Sequence, residues 1–229
     1  MSVTGDAVAI ALQAAPVLPA FVEALARWTG RFNIAPTSVV PVVVPRPPVP
    51  GAASAEREIM FARWGLLPSW AKDVSIGARL TNARGDTIAE KPAFRDAWRS
   101  RRCLVPVSAF YEWQQPVDGG AKRPHAFASA SGEVLTLGGI WDRWRDPESG
   151  AEVRSVAIVT TEANDLMAPV HDRMPVIVHE RDRDRWLGAA PPVDLVRPCP
   201  AGDLQMWRVA TVVNNARNDV PACLVPLRE

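Results

Sequence analysis

Proline sets the strongest limit on what this chain can fold into. Its 229 residues include 22 prolines, spread from Pro16 to Pro226. Each removes a backbone N–H and fixes φ, so helices can run only in the few windows left between them. Short strands and turns are therefore expected to dominate. The chain is long enough to bury a substantial core. No low-complexity tract or linker divides it, so one β-rich α+β domain over residues 1–229 is expected. With 48% hydrophobic and 22% charged residues, the composition is that of a globular rather than a disordered chain.

The apolar stretch from Ala7 to Trp28 resembles a secretory signal, but Asp6 precedes it, a basic n-region is missing and Pro16 and Pro19 interrupt it. It is read instead as a strand (Ala7 to Leu12) leading into an amphipathic helix (Leu18 to Trp28), neither a signal nor a membrane span. β-Branched or alternating runs predict strands at Val39 to Val44, up to Trp64, and over Cys103 to Trp113, Ala126 to Ala130, Val134 to Trp144, Val153 to Thr161, Pro175 to His179 and Trp207 to Val213. Ser131-Gly132 reads as a hairpin turn. Short helices are expected over Lys91 to Arg102 and Arg181 to Leu187.

Net charge is +1, so a nucleic-acid partner would have to be held by a local patch. Cys103, Cys199 and Cys223 are odd in number and lack C-x-x-C spacing, which points to reduced thiols in the cytoplasm rather than a disulfide or zinc framework. Three polar residues stand in apolar surroundings: Asn82, Glu112 and His171. Glu112, between Tyr111 and Trp113, has the setting that raises a carboxyl pKa for proton transfer, although a lone strand glutamate more often faces solvent. Asn82 alone would read as a turn residue. No second histidine or cysteine accompanies His171 at ligand spacing, so neither a metal nor another cofactor is expected.

Together with their flanks these residues fall into ordered blocks: Arg31-Phe32-Asn33-Ile34-Ala35-Pro36-Thr37, Trp64-Gly65-Leu66-Leu67-Pro68-Ser69-Trp70, Asn82-Ala83-Arg84, Glu90-Lys91-Pro92-Ala93-Phe94, Arg102-Cys103-Leu104-Val105-Pro106, Phe110-Tyr111-Glu112-Trp113, Thr160-Thr161-Glu162-Ala163-Asn164 and His171-Asp172-Arg173-Met174-Pro175, with a weaker Val213-Asn214-Asn215. The set resembles the SOS response-associated peptidase (SRAP) family of abasic-site-processing proteins, from Arg31 to about Pro221. The resemblance implies a protein, expected as a monomer, that binds abasic sites in single-stranded DNA. It implies that Asn82 positions the reacting groups and that Glu112 and His171 move protons. It also implies that Arg84, Trp70, Thr160, Asn33 and Pro36 face the DNA, Trp70 by stacking and Arg84 as a phosphate clamp. Trp64 is read as core.

In that family an N-terminal cysteine attacks the ring-opened sugar aldehyde and closes a thiazolidine. Here the opening string is Met1-Ser2-Val3-Thr4-Gly5. Aligning from the start puts Ser2 at the nucleophile position, while aligning on Ile10-Ala11-Leu12 puts Ala7 there; neither carries a thiol. Asp86 also stands where the family commonly has glutamate, which bears on support of the Asn82 loop. Transient imine or lyase chemistry is expected, or else shielding of the lesion without chemistry. Proteolysis is not, since no Ser/His/Asp arrangement is apparent.

Overall fold

The valine-rich run Val39–Pro45 has β-branched residues at five of its seven positions and forms strand β2, antiparallel along its whole length to β3 (Arg57–Trp64). This is a computed structural model, and it describes residues 12, 14–15, 19–46 and 57–227. Ser2, and residues 7–11 of the predicted first strand, lie outside the described residues. A two-residue strand β1 (Ala14–Ala15) runs parallel to the start of β3, and helix α1 (Pro19–Ala26) follows where the apolar spacing predicts it.

The central feature is a ring of five strands. β2 meets β5 (Arg102–Val107) at Val43–Leu104, flanked in β2 by Pro41 and Pro45, neither of which can donate a hydrogen bond. β5 pairs antiparallel with β8 (Leu135–Arg145), and β8 with β9 (Glu152–Glu162). β9 returns to β3 in parallel at Arg63–Ser155 and Trp64–Val156, closing a barrel. Alternation then separates the side chains. Val40, Val42, Met60, Ala62, Cys103, Val105, Leu137, Val156 and Ile158 form one buried cluster drawn from all five strands. Val43, Ile59, Leu104, Ile140 and Ala157, of the opposite parity, pack with Trp98 of α2 (Arg95–Ser100) and Trp186 of α3 (Arg183–Leu187). The first set fills the barrel; the second is its outer face.

Two adjacent glycines permit this. A Cβ on Gly139 would lie 2.9 Å from Cys103 Sγ inside the barrel, and one on Gly138 would lie 2.5 Å from the Trp186 ring outside it. Trp186 stacks edge-on to Trp98 at 5.6 Å and donates its indole N–H to Cys103 O. The buried Arg102 guanidinium donates to the carbonyls of Trp98 and Arg99 at the end of α2 and of Trp186 and Gly188 at the end of α3, satisfying orphan helix carbonyls.

A second sheet holds β6 (Ala109–Gln114), β7 (Arg123–Ser129) and β11 (Leu204–Arg208), all antiparallel in the order β6-β7-β11. It packs on the barrel through Phe127, Leu135, Met167, Met174 and Leu204, with Phe110 stacked on Phe127 at 5.2 Å. Strands β4 (Asn82–Arg84) and β10 (Arg173–Pro175) extend along β9.

Several sequence expectations need correction. Cys103 to Trp113 is two strands, not one: the chain breaks at Ser108 and passes from the barrel to the second sheet. Ser131-Gly132 is a tight turn with Gly132 at φ 80°, but its flanks belong to different sheets, so there is no hairpin. The third sheet strand ends at Arg208, and Thr211–Asn214 is a 3-10 turn despite its β-branched residues, because side-chain amides of Asn218 and Asn33 claim the carbonyls of Val212 and Val213. The helix expected over Lys91 to Arg102 shrinks to Arg95–Ser100, since Arg102 is drawn into β5. No helix among the described residues is long and apolar enough to cross a membrane.

Gly138→Ala should force Trp186 off the barrel. A loss of about 1–3 kcal/mol is expected, seen as a fall in Tm of roughly 5 °C in a thermal melt; an unchanged Tm would show that Trp186 does not depend on the glycine.

Candidate functional site

Between the mouth of the barrel and the second sheet lies a cleft of about 500 Å³, a size that suits a small ligand or a nucleotide fragment. Its apolar floor comes from the barrel interior (Val40, Val105, Leu137, Val156, Ile158), and its walls are residues 31–36, Thr81-Asn82, Ala109 to Trp113 and Val213-Asn214. Asn82, Glu112, Asn33 and Pro36 all line it.

Asn82 is a strand residue rather than the turn residue its type suggests. β4 runs parallel to β9 with Asn82 opposite Ile158, Ala83 opposite Val159 and Arg84 opposite Thr160. Ala83 is fully buried, so Asn82 and Arg84 share the outward face. Trp64 packs against the barrel core, as expected, and its indole N–H to Thr81 O at 3.0 Å fixes the residue before Asn82.

Glu112 sits on β6 between two aromatics that line the same cleft and tie β6 to its other walls. Tyr111 Oη donates to Phe32 O at 2.7 Å, and Trp113 Nε1 to Asn214 Oδ1 at 2.7 Å. Burial pushes the Glu112 carboxyl above the ordinary glutamate range, against the opposing pull of His171, the Trp113 N–H and Lys122. His171 is thus close enough to be felt electrostatically by Glu112, although it stands at the rim and does not line the cleft. The Arg173 N–H donates to His171 Nδ1 at 3.0 Å, and Asp172 Oδ1 lies 3.3 Å from the same nitrogen. The Arg173 carbonyl oxygen also lies 3.0 Å from this nitrogen, so Nδ1 faces both a donor and acceptors.

Beside this pair is a cluster of charges. Arg84 donates from Nε and Nη2 to the two oxygens of Asp86, at 3.3 and 2.7 Å. Asp86 also lies 3.6 Å from Arg173 Nη1, and Arg173 Nη2 donates to Thr160 O at 2.8 Å. Thr160 is buried, with its hydroxyl 3.4 Å from the same guanidinium. Trp70 is 55% exposed in the turn after β3 and does not line the cleft.

The first wall is held by a clasp no local pattern announces. Asp219 accepts from Arg31 Nε at 2.7 Å, Phe32 N at 2.6 Å and Asn33 N at 3.1 Å. Asn33 is buried and its Nδ2 reaches the carbonyls of Val213, Asn215 and Asn218. Its amide nitrogen is thus committed to the protein itself, while the residue lines the cleft. Thr37 takes φ 74°, an unfavourable conformation for a β-branched residue, beside the exposed Pro36; its N–H is held by Trp64 O at 2.7 Å. Sequence reasoning missed Asp219 because it acts across 186 to 188 residues, and missed Arg173 as a partner of Asp86. Among the described residues no cluster of His, Cys, Asp or Glu could hold a metal ion.

Known proteins resemble this chain in sequence and in fold. Abasic site processing protein YoqW of Bacillus subtilis (strain 168) is 33% identical over 195 residues, covering 83% of this chain and 83% of its own. Abasic site processing protein HMCES of Gallus gallus is 32% identical over 230 residues, covering 88% of this chain and 67% of its own. A solved Bacteroides thetaiotaomicron protein matches the fold with a TM-score of 0.72 at 26% identity, over 84% of this chain and 82% of that one. A Bordetella bronchiseptica structure matches at 0.67 and 29%, over 77% and 86%. The model of the SOS response associated peptidase (SRAP) family matches residues 4–216, and the chain belongs to that family.

Proposed function

We propose that this protein acts on DNA damage by recognising abasic sites in single-stranded or junction DNA, and that any covalent adduct it makes is a transient imine rather than a stable thiazolidine. The observation that carries the reading is that Glu112, a half-buried carboxyl within electrostatic reach of His171, lines the same cleft as Asn82. Imine formation from a sugar aldehyde and an amine needs one proton delivered to the departing oxygen and another taken from nitrogen. Glu112, kept protonated further toward neutrality by burial, suits the first task and His171 the second. Asn82 on its fixed strand suits orientation of the aldehyde, and Arg84 a flanking phosphate. Trp70 is open to stack on a base, and Thr160 and Pro36 border the strand's path.

Ring closure to a thiazolidine requires a thiol beside the reacting amine. The sequence's cysteines, Cys103, Cys199 and Cys223, are all buried, and burial raises the thiols of Cys103 and Cys199, the latter to about 11. None is available as a nucleophile. Neither Ser2 nor Ala7, the two residues that align with the family's nucleophile, carries a thiol, and a serine hydroxyl closes such a ring far less durably.

Incubation with abasic single-stranded DNA should therefore give a protein–DNA band on a denaturing gel only after borohydride reduction. A heat-stable band in good yield without reductant would overturn the proposal, and no band under either condition would leave a module that shields the lesion without chemistry.

Arg84→Ala should weaken binding to single strands of any sequence about five- to tenfold at low salt and lower the salt slope by about one; equal affinities at low and moderate salt would remove Arg84 from the interface.

Because the folded-state pKa of Glu112 is raised, ionising it costs stability as pH climbs from the ordinary glutamate range through the raised value, and costs nothing below both. Glu112→Gln should then melt roughly 1–3 °C higher at neutral pH, lose that advantage below about pH 4, and give less borohydride-trapped adduct. An advantage that persists in acid would contradict the assignment of a raised carboxyl.

A further inference from the structure

We propose that Asp86 is a built-in competitor for DNA phosphate: its carboxylate fills the guanidinium fork of Arg84 until a backbone phosphate displaces it, and so tunes how tightly the cleft holds a strand. The inference rests on the reading of the cleft as a DNA site.

The geometry is that of a phosphate already bound. Arg84 meets Asp86 through Nε and Nη2, each to its own oxygen, the parallel pair of bonds by which arginine grips a phosphate. Asp86 Oδ2, the oxygen 2.7 Å from Arg84, also lies 3.6 Å from Arg173 Nη1. Two cations thus converge on one anion. Arg173 is held in place by Nη2, which donates to Thr160 O at 2.8 Å. By contrast the Arg84 and Asp86 side chains are 64% and 46% exposed, open to exchange with a ligand from solvent.

The backbone between them is fixed. Gly85 N–H bonds Thr160 O at 2.8 Å, and a Cβ on Gly85 would lie 2.1 Å from Val196 Cγ1. Gly85 is thus tied to β9 and packed closely against Val196. Exchange must come from side-chain rotation, which leaves the displaced carboxylate near the incoming phosphate. Like charges so placed oppose binding, and the opposition is screened by salt. A residue that merely props the Asn82 loop would have the reverse effect when changed, because its loss would loosen the site.

The test is the affinity of a fluorescent oligothymidylate for the full chain, its Asp86→Asn variant, Arg84→Ala and the double variant, measured by anisotropy at about 50 mM and 300 mM salt. Asp86→Asn should tighten binding about three- to tenfold at low salt and less at high salt. The gain should vanish in the Arg84→Ala background, the non-additivity that marks a direct pair. Equal or weaker binding by Asp86→Asn beside a wild type that binds would overturn the competitor while leaving the DNA reading intact. A gain that persists without Arg84 would also overturn it, showing only a general effect of charge. If neither wild type nor Asp86→Asn binds, the DNA reading itself falls, and the competitor with it.

Discussion

The structure depends on how the two edges of β9 are shared. One edge is taken by β8 along seven paired positions, from Gly139–Ile158 to Arg145–Glu152. The other is divided, with two residues given to β3 and the next stretch to β4. The two-residue contact turns an open sheet into a barrel, removing an unpaired edge that would otherwise face solvent. The β4 contact then sets Asn82 and Arg84 at the mouth the barrel has just acquired. Closure and site formation are thus successive uses of one strand edge, and Leu67 N–H to Ser155 Oγ at 2.7 Å pins the chain where it leaves β3 for β4.

Two carboxylates, Glu112 in the cleft and Asp219 holding its first wall, have opposite effects on folding. Asp219 is raised by burial, but Arg31 and two backbone N–H groups outweigh this and hold it below the usual aspartate range. Its contribution to stability is present above the ordinary aspartate pKa and is lost as pH falls through the lowered value. Glu112 is displaced upward by burial and destabilises when it ionises. A wall that stabilises the fold thus stands next to a group that costs it stability when ionised.

How much of this was legible in the sequence follows from the range of the forces involved. Strands with alternating or β-branched residues, such as Val39–Pro45 and Glu152–Glu162, carry their own pattern, and both appear. The paired blocks around Asn82 and Glu112 were visible as motifs, and both residues line one cleft. What the sequence concealed is tertiary. The break at Ser108 separates two equally strand-like runs that end in different sheets. The β-branched Thr211–Asn214 turns because distant side-chain amides take its carbonyls. Asn33, expected to face DNA, is occupied by three backbone carbonyls from residues 213–218. Strand β4 is only three residues long and owes its existence to β9.

The clasp between residues 31–33 and Asp219 bears on how the protein is made. The pairing of β2 with β3 is local and can form as soon as those strands leave the ribosome, whereas the clasp joins residues separated by 186 to 188 positions. Loop closure over that distance grows only slowly more unfavourable with length, but it cannot begin before residue 219 exists. Through most of synthesis the first wall of the cleft therefore has no far anchor, and the nascent chain carries a barrel without a finished binding surface. The finished cleft thus waits on a contact made long after the first strands can pair.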